Sequence, residues 1–160
     1  MKGLRENFLA AAIFAVVACF APFCAESSDG DAAAIRGLLM HQFDKPEARL
    51  VVEPVVVRGS RAIAGWVQAE RGGRALLRRD RGKWKLVACA GDAFKEAAEL
   101  QKAGIARAQA RELARALVAA EKNLPADQVR KFSLFDGVVR MDESGAHPQP
   151  GHTGHGGKAH

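Results

Sequence analysis

Four of the chain's five histidines, His147, His152, His155 and His160, fall within its last fourteen residues, separated by Gly, Pro, Thr, Gln, Lys and Ala. Neutral imidazole is the commonest side-chain metal ligand, and an ordinary pKa of about 6.5 leaves it largely unprotonated at neutral pH. The affinity order of first-row divalent ions favours copper, so the tail is expected to take Cu2+ ahead of Zn2+ and Ni2+. Spacings of five, three and five residues across Gly and Pro impose no fixed geometry. They suit an ion-catching chelate better than a closed structural site. The plain alternative is a solvated tail whose histidines are incidental. Met141 stands six residues before His147, and Met40-His41 pairs a thioether with an imidazole, a combination that suits Cu+. Methionine beside an apolar helix stripe more commonly fills core space.

A second candidate is cationic. Nine basic residues lie between Arg58 and Lys85 against Glu70 and Asp80 alone. Arg74, Arg78, Arg79, Arg81, Lys83 and Lys85 offer a surface for anionic headgroups or an acidic protein. The ordinary role of such side chains is a solvated face whose aliphatic stems cover sheet. Trp66 and Trp84 lie among these charges as expected core blocks rather than stacking platforms. Arg107, Arg111 and Arg115 recur one turn apart and read as a solvated helix face. The sequence contains no Gly-x-Ser-x-Gly, no His-Glu-x-x-His, no phosphate loop and no Cys-x-x-Cys. The expectation is therefore a protein that is not an enzyme. The weaker catalytic reading places a pocket on the concave face of a central sheet, by analogy with cystatin-like and nuclear-transport-factor-like folds.

The compartment follows from the other end. Lys2 and Arg5 precede an apolar run from Phe8 to Phe20, too short to span a bilayer and similar to the central region of a secretory signal. The mature protein is expected in the periplasm or outside the cell, where nucleic acid is not a partner. Residues 1–25 form the expected signal peptide, with cleavage after Ala25. The alternative is a lipoprotein signal over 1–18, since Val16-Val17-Ala18-Cys19 is similar to a lipobox and would leave Cys19 lipidated. Membrane contact is expected only through that lipid or the basic face. Cleavage after Ala25 leaves Cys89 as the single thiol, a small buried apolar residue; cleavage before Cys19 leaves Cys24 able to meet Cys89 in an oxidising compartment. Removing residues 1–25 from 160 leaves 135, with a net charge of +5 in place of +6 once Lys2, Arg5 and Glu6 are gone.

That length and an apolar content of 48% fit one α+β domain over 28–142, followed by a disordered His-rich tail over 143–160. Ser28-Asp29-Gly30-Asp31 opens an N-terminal helix carrying Ile35, Leu38 and Leu39, which Asp44-Lys45-Pro46 ends. A four-stranded antiparallel meander follows, over 50–58, 61–69, 74–79 and 83–89. Its connections are Gly59-Ser60, Arg71-Gly72-Gly73 and Arg81-Gly82. Pro54 cannot donate to a ladder and marks the first strand as an edge or as bulged. Two to three C-terminal helices come next. Asp92 caps a helix to Ala103 that Gly104 closes, a second runs from Ala106 to Asn123 with Leu113 and Leu117 on its buried stripe, and Pro125 opens a third. Residues 138–141 form a short extended exit or one arm of a hairpin turning at Asp136-Gly137.

The chain as a whole resembles the small secreted proteobacterial copper uptake system-associated proteins. The resemblance lies in Phe43-Asp44-Lys45-Pro46-Glu47-Ala48-Arg49-Leu50, Val52-Glu53-Pro54-Val55-Val56-Val57, Ala64-Gly65-Trp66, Gly72-Gly73-Arg74-Ala75-Leu76-Leu77-Arg78, Cys89-Ala90-Gly91-Asp92, Leu124-Pro125 and Val138-Val139-Arg140-Met141-Asp142, ahead of a His-bearing C-terminus. It implies a role beside copper import or handling in the cell envelope, with copper-handling proteins as partners. It brings no ligand set onto this sequence.

Overall fold

The computed structural model of the protein describes residues 27–141. The expected signal segment over 1–25, with Cys19 and Cys24, lies outside the described residues, as do His147, His152, His155 and His160. Helix α1 spans Ser27–Phe43, with Asp29 in its first turn and His41 in its last. Ile35 and Leu39, one turn apart, are its buried anchors. Beyond it, the Asp44 carboxylate accepts the Leu50 backbone N–H at 2.7 Å and receives Arg49 at 2.8 Å, turning the chain into the sheet.

The sheet is an antiparallel meander of five strands in chain order: β1 Leu50–Arg58, β2 Arg61–Gln68, β3 Arg71–Asp80, β4 Lys83–Ala90 and β5 Val138–Arg140. The fifth strand settles the question left by residues 138–141. Val139 pairs with Cys89, so these residues extend the sheet instead of folding back on the segment before Asp136. β1 is an edge, and its register with β2 shifts between Val52 and Val55, so Glu53 and Pro54 together oppose Gly65. The bulge falls where Pro54 would have left a gap in the ladder.

The second hairpin differs from expectation. Its turn is Ala69-Glu70, with Ala69 at φ 52°, and β3 already begins at Arg71. Gly72 and Gly73 are strand residues whose missing side chains admit other groups. A Cβ on Gly72 would lie 2.7 Å from the Lys131 carbonyl oxygen, and one on Gly73 would lie 2.9 Å from the Trp66 ring. Close packing, not turn geometry, requires glycine there.

A 3-10 turn over Asp92–Lys95 follows β4, then α2 Ala97–Lys102, α3 Arg107–Glu121 and α4 Ala126–Phe132. The single helix expected from Asp92 to Ala103 is thus broken at Glu96, which is extended at φ −95°, ψ 118°. Asp92 caps nothing; its carboxylate accepts from the side chains of Arg74, Lys95 and Ser133 instead. Gly104, at φ 82°, does close α2 in the left-handed region.

Helices cover both faces of the sheet. On one face Ile35 and Leu39 of α1 meet Val52, Ala62, Leu77 and Leu86. On the other, Leu100, Leu113 and Leu117 of α2 and α3 meet Val56, Ile63 and Leu76. Each fully buried Leu or Ile contributes about 1.5–3 kcal/mol of transfer free energy, and both layers are needed because the strands are apolar on two sides. The chain after α4 passes the end of the sheet. Phe132 sits against Gly65 on the α3 face, and Phe135 sits against Gly73 on the α1 face. No helix among the described residues is long and apolar enough to cross a membrane.

Candidate functional sites on the sheet

The basic residues of the meander separate into three environments. Arg74 is fully buried and takes no part in any surface. Its Nε and Nη2 donate to the two carboxylate oxygens of Glu121 at 2.6 and 2.8 Å, its Nη1 donates to Asp92 at 3.1 Å, and its guanidinium lies 5.4 Å from the Phe132 ring centre. The expectation that Arg74 serves an anionic partner is therefore corrected. Strand alternation points it into the α3 layer, where only a bidentate carboxylate makes a buried guanidinium tolerable. Sequence reasoning missed Glu121, although its placement carried a signal. It follows Leu113 and Leu117 at four-residue spacing, a carboxylate on an otherwise apolar stripe.

Arg79 points to the α1 face. Its Nη1 donates to both oxygens of Asp31 at 2.9 Å, and its guanidinium lies 5.2 Å from the Trp84 ring centre. The Trp84 indole nitrogen donates to the same carboxylate at 3.0 Å, so Arg79 ties α1 to the sheet. It is engaged internally rather than presented.

The third group is a surface. Arg58 pairs in register with Arg61, Arg61 with Arg78, and Arg78 with Lys85, which places four cations side by side across β1 to β4. Directly opposed residues share a face about 4.5–5.5 Å apart, and like charges so placed are destabilising. Burial, and then the nearness of Arg78, lower the Arg61 guanidinium below its ordinary value. Lys85 donates to Asp80 at 2.9 Å, and that contact holds the Asp80 carboxyl below the usual carboxylate range. Arg81 and Lys83 are exposed beside this row, in and just after the third hairpin turn. Arg58 and Arg61 were missed as site residues. Laying the hairpins out two residues per turn would have aligned them with Arg78. Arg107, Arg111 and Arg115 are exposed along α3.

The soft ligands lie elsewhere. Met141 is the last described residue, and its backbone N–H donates to Val87 at 2.8 Å, continuing the β4–β5 ladder. Its side chain and Cys89 both line a cavity of about 210 Å³ between α1 and the sheet, walled by Leu39, Leu50, Trp66 and Phe135. Burial pushes the Cys89 thiol up to about 12, so it behaves as a neutral apolar group. His41 is exposed near the end of α1, and Met40 packs against the α1-side core. Among the described residues no three His, Cys, Asp or Glu side chains converge as a metal site. No protein-family model, curated protein or solved structure matches this chain.

Proposed function

We propose that the protein is a secreted or periplasmic accessory of copper uptake or handling, which binds Cu2+ through the histidines of its C-terminal tail and works beside envelope copper-handling proteins. The observation that carries this reading is His147, His152, His155 and His160 within fourteen residues, beginning six residues after Met141. Supporting it are the signal-like start and the resemblance to copper uptake system-associated proteins. Imidazole must be deprotonated to bind, so copper affinity should fall as pH drops through about 6.5. Titrating the mature protein with Cu2+ beside a version ending at Met141 tests the proposal. Binding is expected for the full chain and lost from the shortened one. Equal binding by both removes the tail from the mechanism.

The cationic row supports a second reading, an envelope adaptor in which metal plays no part. Like charges in direct register lower stability, and an anionic surface laid across Arg58, Arg61, Arg78 and Lys85 would relieve that repulsion. The discriminating variant replaces Arg61, Arg78 and Lys85 with Gln. It should lose binding to phosphatidylglycerol vesicles at low salt; unchanged vesicle binding counts against this reading.

A further inference from the structure

The cavity on the α1 face combines two features that an ordinary packing defect lacks. It has a volume of about 210 Å³, larger than the roughly 150 Å³ apolar cavity that accepts benzene and smaller than the roughly 300 Å³ at which drug-sized pockets begin. Its walls also carry donors with nothing to donate to among the described residues. The indole nitrogen of Trp66 is buried and has no acceptor among the described residues. Leaving such a donor buried and unpaired is unfavourable, so an acceptor brought to it would be favoured. Arg71, exposed at the start of β3, lines the same cavity and makes no ion pair or side-chain hydrogen bond among the described residues. Gln68, the other polar residue there, is already committed. Its amide nitrogen donates to the carbonyls of Phe43 and Ala48 at 2.7 and 2.8 Å. A chamber that is apolar apart from a cation and an N–H without partners among the described residues is complementary to a ligand with an apolar body and an oxygen-bearing anionic end.

We propose that this cavity is a binding site for a small amphipathic carboxylate, such as a fatty acid of about six to eight carbons by comparison with the benzene-sized chamber. The acyl chain occupies the space between Leu39, Leu50 and Phe135, and the carboxylate pairs with Arg71. The closing of α1 over the sheet supplies the dry wall, and Met141 supplies an adaptable one, since an unbranched thioether adjusts to ligand shape.

Octanoate is the probe, titrated calorimetrically into the mature protein beside octanol and acetate. One octanoate per chain is expected, with octanol at least tenfold weaker and acetate silent. Arg71→Gln alters an exposed side chain and should bring octanoate down to the octanol level. Ala75→Leu should fill the chamber and abolish octanoate binding in a variant whose circular dichroism matches the parent. No saturable octanoate binding, octanoate binding unchanged by Arg71→Gln, or binding retained in folded Ala75→Leu each overturns the proposal. If Ala75→Leu does not fold, Arg71→Gln decides alone.

Discussion

Replacing Arg74 with Leu should be among the most damaging single changes in the domain, and its size can be worked from the contacts. Glu121 is 6% exposed and accepts two charge-assisted hydrogen bonds from Arg74, at 2.6 and 2.8 Å. Without them its nearest cation is Lys95 at 4.0 Å. Hydrogen bonds to charged groups contribute about 1.5–3 kcal/mol each, and breaking a buried pair from one side costs about 3–5 kcal/mol in total. Against a stability of about 5–15 kcal/mol for a domain of this kind, that is a large share. With a urea slope of about 2 kcal/mol/M, the unfolding midpoint followed by tryptophan fluorescence should drop by about 2 M. Arg74→Met combined with Glu121→Leu should recover most of the loss, because two apolar side chains leave no buried charge behind. Arg78→Ala, on the surface, should change stability by less than about 0.5 kcal/mol, a midpoint shift below about 0.25 M. An Arg74→Leu shift below about 0.5 M, or a double variant as unstable as the single one, would refute the argument that this pair is buried and mutually dependent.

Three further outcomes follow from other sites. Cys89, raised to about 12 by burial, should resist a thiol reagent at pH 8 in the native protein and react at once after denaturation; rapid native labelling would contradict its placement. The Asp92 carboxyl lies below its ordinary value, chiefly through the hydrogen bond from Lys95 and then that from Ser133. Its folded value is thus below the unfolded one, so its contribution is complete above about pH 5 and disappears as pH falls through the folded value. Carboxyl NMR should show that low midpoint and an upward move in Lys95→Gln; a midpoint that stays put counts against the contact. Gly91→Ala drives a Cβ into the Phe135 carbonyl oxygen and should cost about 1–3 kcal/mol by thermal unfolding, whereas a neutral result would mean that the segment after α4 yields freely.

Much of the scaffold was readable because period and punctuation agreed. The apolar spacing of Ile35 and Leu39 gave α1, and Gly59-Ser60 and Arg81-Gly82 gave two hairpins where the structure has them. Reading failed where a residue answered to a distant partner. Gly72-Gly73 looks like a turn locally, yet it is strand because Lys131 and Trp66 must come close. Asp92 looks like a cap, yet Arg74 and Lys95 claim it. The cationic surface was visible as a charge excess, but its membership was not. Alternation sends Arg74 inward and Arg79 to α1, while register brings Arg58 and Arg61 to Arg78. The cavity had no signal along the chain, since its walls come from α1, β1 to β4 and the segment around Phe135.

The two margins of the sheet bear on how copies of the domain meet. β1 exposes nine residues of edge, but Pro54 has no N–H and the bulge beside it interrupts the outward row of donors. At the other margin β5 is three residues long and pairs with Ala88 to Ala90, leaving the start of β4, with Lys83 and Lys85, open. An incoming strand therefore meets a broken ladder on one side and a short, positively charged one on the other. Joining two sheets edge to edge is thus discouraged at both margins, at one by the bulge that shifts the β1–β2 register and at the other by charge and shortness.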